Sequence, residues 1–213
     1  MGIEITSPVC RIVGAGEMAD CPVLPLASKA GDYLIAADGG LDVLLQRGIS
    51  PDLVIGDFDS LGRCPAEWHP VVLPCEKDDT DMLSALKCGL QKGYDTFLLY
   101  GGMGGREDHT IANIQLLYYL ASLHKTGYLI GRQNILTAIR NDSVCLSGMQ
   151  GFLSIFCAGD RAEGVTISGC KYNLTDGELT HLYPIGVSNE FTGQPAEISV
   201  KNGTLLIVME NPA

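Results

Sequence analysis

The sequence predicts a chain in two parts, an α/β N-terminal domain over residues 1–126 and an all-β sandwich over residues 127–213. Three observations carry this reading. In the first part, short continuous apolar runs alternate with amphipathic stripes, the pattern of parallel strands buried on both faces by helices. Polar clusters stand directly after those runs. From about Gly127 onward the apolar runs shorten, glycines recur, and no helical stripe is present between Val144 and Met209. The first domain is therefore expected to be Rossmann-like, with a mostly parallel sheet and helices on both faces, joined to a β-sandwich without a long linker.

Taken in order, Cys10 to Val13 reads as a buried strand leading into "GAGEMAD", where Gly14-Ala15-Gly16 is a weak phosphate-loop signal and reads first as an ordinary turn. Asp32 to Ala37 is a second strand, ending at Asp38-Gly39-Gly40. Leu41, Leu44 and Leu45 then fall at helical spacing, and Gly48 suits the position just past the helix end. Leu53 to Ile55 is a strand before "GDFDS", and Val71 to Leu73 one before "KDDTD". Met82, Leu83, Leu86 and Leu90 form the apolar stripe of a helix that Thr80 or Asp81 caps, with Gly93 beyond its end. Thr96 to Tyr100 is a strand, "GGMGGRED" a glycine-rich loop, and Ile111, Ile114, Leu117, Tyr118 and Ala121 one face of a longer helix. Near the C-terminus, "AEISVKNGTLLIVM" alternates on both sides of Asn202-Gly203, which predicts a hairpin with a type I′ turn. There is no internal repeat and no low-complexity segment.

Composition narrows the partners. With 46% hydrophobic and 18% charged residues the chain has enough apolar surface to fold. A net charge of −11 argues against nucleic acid or an anionic membrane surface, both of which need clustered Lys and Arg. A phosphate group must then be held locally, by metal, backbone N–H groups and a few placed cations. No basic segment followed by a long apolar one opens the chain, and no run approaches the roughly 20 apolar residues of a membrane span, so a cytoplasmic protein is expected. The eight cysteines are scattered, without the spacing of a zinc knuckle or redox pair, and read as reduced, mostly buried small hydrophobes.

The chemistry concentrates in "VIGDFD" at 54–59 and "EKDDTD" at 76–81. Two carboxylates about 4 Å apart repel by roughly 1 kcal/mol in water and roughly 4 kcal/mol at an effective dielectric near 20, so converging Asp57 and Asp59 with Asp78, Asp79 and Asp81 needs a cation. Oxygen donors with few His or Cys nearby suit Mg²⁺ or Ca²⁺ rather than zinc. An Asp-rich solvated turn is the competing reading of either stretch alone. Four polar clusters (Asp38, Asp57 with Asp59, Asp78 to Asp81, Arg106 with Asp108) at equivalent places after strands favour function, because those places line the carboxyl edge of an open α/β sheet, where ligands bind. The loop Gly101 to Gly105 lets backbone approach a ligand, Arg106 offers a planar fork for phosphate oxygens, and Lys77 adds a compact cation. Carboxylates for metal, two cations and a glycine loop make a site for phosphoryl transfer.

"ADGG" at 37–40, "PDLVIGDFDSL" at 51–61, "EKDDTD" at 76–81, "GGMGGREDH" at 101–109 with Asn113, and "VSNEF" at 187–191 stand in one order. Over nearly the whole chain this set resembles the thiamine pyrophosphokinases. The resemblance implies a homodimeric enzyme that transfers the β,γ-diphosphate of ATP to the hydroxyl of thiamine, with Mg²⁺ as cofactor and ATP as co-substrate. Carried over by motif, Asp57, Asp59 and Asp81 are the metal ligands and, with Arg106 and Asp108, the catalytic residues. Asp38, Lys77, Thr80, Gly102, Arg106 and Asn113 are implied to bind nucleotide and phosphate. Ser188 and Asn189 are the implied thiamine contacts, brought to the crevice by the fold. Either Asp81 or Asp59 takes the proton of the thiamine hydroxyl. Two positions depart from the family pattern: Asn173 stands where Pro is more usual, and the last strand, Leu205 to Val208, lacks the Trp that some members place near the thiamine ring. Trp68 lies in the first half and reads as a packing residue.

Two other readings compete. A haloacid-dehalogenase-type phosphatase would use Asp57 as a covalent nucleophile, but there the aspartate follows the first core strand, whereas here two strands precede it. A non-catalytic thiamine or nucleotide sensor on the same fold would have no need of the carboxylates, all of which are present.

Overall fold

The computed structural model describes residues 3, 5, 8–18, 20–59, 62 and 64–212. Ser60 and Leu61, the end of the second motif, lie outside them. Along the chain run β1 (Val9–Val13), β2 (Tyr33–Ala37), α1 (Gly40–Gln46), β3 (Leu53–Gly56), β4 (Val71–Val72), α2 (Asp81–Gln91), β5 (Thr96–Tyr100), α3 (Glu107–Ser122) and β6 (Thr126–Ile130). Then follow β7 (Asn134–Arg140), β8 (Ser143–Leu146), β9 (Phe152–Cys157), β10 (Arg161–Ser168), β11 (Leu174–Thr180), β12 (Asn189–Glu190), β13 (Ala196–Ser199) and β14 (Thr204–Glu210).

The described strands form a ten-stranded sheet in the order β12-β9-β14-β7-β6-β5-β1-β2-β3-β4 and a four-stranded sheet in the order β11-β10-β13-β8. From β4 to β6 every neighbour is parallel. β7 turns back against β6, with Leu129 opposite Leu136, and from there to β12 all pairs are antiparallel. The result is one mixed sheet with few helices and a second, antiparallel sheet. It runs unbroken through the point where the sequence changes character, because β6 still pairs in parallel with β5, Thr126 opposite Thr96.

Period-two alternation sends the strand side chains into two cores. On one face Val9, Val13, Leu34 and Leu98 meet Leu41 and Leu44 of α1. On the other, Cys10, Ile12, Phe97 and Leu99 meet Ala85 and Leu86 of α2 and Leu117 and Leu120 of α3. Both faces are thus covered, which is why these strands read as continuous apolar runs. Beyond β6, the α1-side face is covered by the four-stranded sheet instead: Leu153, Leu205 and Ile207 share a core with Val165, Ile167 and Ile198. This is the expected sandwich, except that one of its two sheets is the continuation of the α/β sheet.

Local signals behave as their chemistry requires. Thr80 caps α2, its Oγ1 accepting from the Leu83 N–H at 3.2 Å. Gly48 and Gly93, just past α1 and α2, have φ of +68° and +86°. Trp68 sits in a short 3₁₀ turn and packs against the α1-side core. β4 departs from the buried run expected there: it is a two-residue edge strand with both valines exposed. Burial holds for Cys10, Cys21, Cys157 and Cys170, with the Cys10 thiol pushed up to about 12 by desolvation, whereas Cys64, Cys75 and Cys145 are exposed.

The predicted hairpin at Asn202-Gly203 is not formed. β13 belongs to the four-stranded sheet and β14 to the ten-stranded one, so the chain changes sheet between them. The segment is held by Glu163, which exchanges backbone hydrogen bonds with Asn202, and by Asn141, whose Oδ1 accepts from Gly203 N–H at 2.7 Å. Only Gly203 takes a positive φ, whereas a type I′ turn requires it at both residues. The alternating pattern on both sides is real, but each strand alternates against its own sheet. Among the described residues no helix is long and apolar enough to cross a membrane.

Candidate active site

The candidate site lies along the carboxyl edge of the parallel strands. Asp38 follows β2, Asp57 and Asp59 follow β3, Lys77 to Asp81 lead from β4 into α2, and Gly101 to Arg106 lead from β5 into α3. Small residues let these chain ends converge. A Cβ on Gly40 would lie 1.9 Å from the Val13 carbonyl oxygen, and one on Gly56 3.0 Å from Cα of Asp38, so the loops after β1, β2 and β3 are in backbone contact. The Asp38 N–H donates to the Ile55 carbonyl at 2.8 Å, tying the end of β2 to β3.

Asp38 and Phe58 both sit in the left-handed region, with φ of +47° and +60°. Neither is glycine, so the surrounding fold must hold them there. Phe58 does so by burying its ring in the α1-side core, 3% exposed, which fixes the two aspartates on either side of it. The Asp59 N–H also donates to Asp57 Oδ1 at 3.3 Å. The outcome is a carboxylate triad: ligand oxygens of Asp38, Asp57 and Asp59 all lie within 4.8 Å of one another. An all-carboxylate donor set at this spacing fits a hard divalent cation.

Lys77 lies on the other side of Asp57. Its Nζ hydrogen-bonds Asp57 Oδ2 and stands 3.2 Å from Asp81 Oδ1, an ion pair lacking hydrogen-bond alignment. All three side chains are largely shielded, at 14%, 11% and 23% exposure. The Lys77 hydrogen bond holds the Asp57 carboxyl below its usual range. Asp81 moves the other way: burial raises it, reinforced by the charges of Asp57 and Asp38, and Lys77 only partly offsets this. For Lys77 itself burial pulls down, but the two carboxylates of Asp57 and Asp81 beside it win and the ammonium is held above its usual range. Of the other two aspartates of that motif, Asp78 is exposed, and Asp79 lines the same cavity but pairs with Lys87 of α2 at 2.5 Å.

The glycine loop is fixed by contacts that only glycine permits. Gly101 has φ of +63°, and a Cβ there would lie 2.4 Å from the Gly14 carbonyl oxygen. Gly14 N–H donates to Tyr100 and Gly16 N–H to Gly101, each at 2.9 Å, so Gly14-Ala15-Gly16 interlocks with the loop after β5. That turn lines the cavity, a role its GxG pattern hinted at but could not establish. Asn113, buried in α3, donates its amide to the Gly102 carbonyl at 2.8 Å and holds the loop from below. Arg106 precedes α3 and is clamped in two hydrogen bonds by Asp108, at 2.6 and 3.1 Å, with both side chains well exposed.

Together these loops enclose a cavity of about 640 Å³ whose lining includes Asp38, Lys77, Thr80, Asp81, Gly102 and Arg106. The fold therefore gathers all the expected metal and phosphate residues of the first 126 positions on one edge. It does not gather Ser188 and Asn189. β12 lies eight strand steps from β3 in the sheet order. At about 4.8 Å per step this is on the order of 38 Å, far beyond the length of a small ligand. Ser188 is exposed with φ of +60°. Asn189 is buried and its amide is engaged with Tyr172, accepting from the N–H at 2.9 Å and donating to the carbonyl at 2.7 Å.

Comparison with known proteins adds an independent line. Residues 25–129 match the family described as "Thiamin pyrophosphokinase, catalytic domain", and residues 139–205 the one described as "Thiamin pyrophosphokinase, vitamin B1 binding domain". A thiamine pyrophosphokinase of Bacillus subtilis (strain 168) is 29% identical over 206 residues, which cover 93% of this chain and 96% of the relative. The crystal structure of a thiamine pyrophosphokinase from Bacillus subtilis superposes with a TM-score of 0.84 at 27% identity, over 96% of this chain and 100% of that one. The enzyme from Candida albicans, at 17% identity, shares the fold with a TM-score of 0.74 over 96% of this chain and 89% of that one.

Proposed function

The chain belongs to the thiamin pyrophosphokinase family, and on that premise we propose that it transfers the β,γ-diphosphate of ATP to the hydroxyl of thiamine, releasing thiamine diphosphate and AMP. The observation that carries the site assignment is the Asp38–Asp57–Asp59 triad at the edge of a cavity that also takes in the glycine loop and Arg106. We assign residues 1–126 to ATP and metal and residues 127–213 to thiamine, in a cytoplasmic protein.

The triad would hold Mg²⁺, which when bound supplies neutralisation of phosphate charge. Backbone of Gly14 to Gly16 and Gly101 to Gly105 lets phosphate oxygens approach closely. Arg106, oriented by Asp108, offers the remaining edge of its guanidinium to a phosphate. Asn113 acts by positioning Gly102 rather than by touching the nucleotide, since its amide is already engaged. Asp81 is the better proton acceptor of the two aspartates considered, because burial raises its pKa while Asp59 belongs to the triad. The haloacid-dehalogenase reading fits less well, since Asp57 follows the third strand and is tied to Lys77.

The separation of Ser188 from the triad bears on the assembly. If Ser188 and Asn189 contact thiamine, they come from a second copy of the chain, so the working unit is a homodimer with thiamine held between subunits. Phe152, Tyr172, Leu182, Tyr183, Ile185 and Val187, all exposed around β12, give that end of the sheet an apolar surface for a partner. The functional test is to incubate the protein with ATP, Mg²⁺ and thiamine and to identify the nucleotide product. AMP with thiamine diphosphate supports the reading; ADP, free phosphate or unchanged ATP defeats it.

A further inference from the structure

Asp57 is shared between two cation positions. With Asp38 and Asp59 it forms the triad of oxygens within 4.8 Å, and through Oδ2 it also binds Lys77, which stands 3.2 Å from Asp81 on the far side. A carboxylate serving two cations at once is the arrangement of two-metal phosphoryl-transfer sites, where the ions sit about 3.5–4 Å apart. Here one of the two places is taken by a side chain of the protein.

Resting on the phosphoryl-transfer reading above, we propose that this centre holds a single divalent cation on the protein, with the Lys77 ammonium filling the place of a second. The ammonium is not a loosely tethered group. It lies one turn before Asp81, at the entrance to a capped helix, is only 14% exposed, and pairs with two carboxylates together. Moving it out to the nucleotide would leave Asp57 and Asp81 facing each other in a shielded place with no other counter-charge among the described residues. Asp57 and Asp81 converge beside Asp38 and Asp59, and a permanent ammonium between the first two lets them do so before any metal arrives. The role assigned to Lys77 is thus to complete the carboxylate centre, and contact with phosphate is secondary to it.

The test counts ions without turnover. Nucleotide-free protein is titrated with Mn²⁺, and bound ion is measured by electron paramagnetic resonance and calorimetry for wild type, Lys77→Gln and Lys77→Arg. Wild type should saturate at one Mn²⁺ per chain, Lys77→Gln at two, and Lys77→Arg, which restores a fixed cation, again at one. In chelator, Lys77→Gln should also melt below wild type, and Mn²⁺ should restore more of its melting temperature than of the wild type's. A wild-type count other than one overturns the proposal, as does a Lys77→Gln count that stays at one. The wild-type count stands even if a variant fails to fold. Because no substrate is present, an incorrect assignment of the acceptor would leave these counts unchanged.

Discussion

The Asn113 amide donates to the Gly102 carbonyl at 2.8 Å, so the first turns of α3 support the glycine loop directly. The contact is close on both sides: a Cβ on Gly102 would lie 2.8 Å from Leu129 Cδ1 and 2.9 Å from Asn113 Nδ2. Asn113→Leu leaves a buried carbonyl without its donor, at a cost of about 1–3 kcal/mol. It should raise the KM for ATP while leaving that for thiamine nearly unchanged, and Gly102→Ala should do the same by displacing the loop. Steady-state kinetics with each substrate varied would show it. Unchanged ATP kinetics in both variants would mean the loop does not meet the nucleotide.

Asp57→Asn and Asp81→Asn should each lower turnover by at least about 100-fold, or roughly 3 kcal/mol on the barrier. Their stabilities should part company. Burial raises the folded-state pKa of Asp81, so its contribution is favourable below the unfolded value of about 4 and is lost as pH rises through the raised one. At neutral pH Asp81→Asn should therefore melt above wild type in chelator, with the gap closing as pH falls toward about 4. Asp57→Asn, which gives up the ion pair with Lys77, should not gain in this way.

Arg106→Lys should impair the enzyme although the charge is kept, because the fork held by Asp108 is lost. Both groups are exposed, so stability should be unaffected. Normal kinetics in Arg106→Lys would remove this residue from the site.

Far from the site, Arg11 and Asp32 form an ion pair with side chains 5% and 4% exposed. Burial pushes the Asp32 carboxyl up, but N–H bonds from Lys29 and Val9 and the pairing with Arg11 prevail and hold it below its usual range. A depressed carboxylate stabilises the fold above its unfolded value and loses that contribution as pH falls through the folded one, so this term should fade below about pH 4. Asp32→Asn should cost about 3–5 kcal/mol by stranding the buried guanidinium, read as a lower urea midpoint at neutral pH.

Much of this was legible in the sequence because it rests on local rules. Thr80, Gly48 and Gly93 mark helix ends by backbone chemistry alone, and strands buried on both faces announce themselves as apolar runs. The carboxylates were legible because every one of them follows a strand. What failed was non-local. Alternation around Asn202-Gly203 is the same whether two strands pair with each other or with different sheets, and only the partners β7, β9, β8 and β10 decide. The pairing of Lys77 with Asp57 across twenty residues, and the distance from Ser188 to the triad, depend likewise on strand order.

The most direct test of a site shared between two chains is subunit complementation. Asp57→Asn removes a carboxylate of the proposed metal site, and Ser188→Arg, at an exposed position, would set a cation against the thiazolium of thiamine held there. Each variant alone should be nearly inactive. If the thiamine contacts come from the partner, unfolding and refolding an equal mixture yields about half heterodimers, each with one intact site, and so about one quarter of wild-type activity. If the mixture stays as inactive as its components while heterodimers are present, the shared site is contradicted.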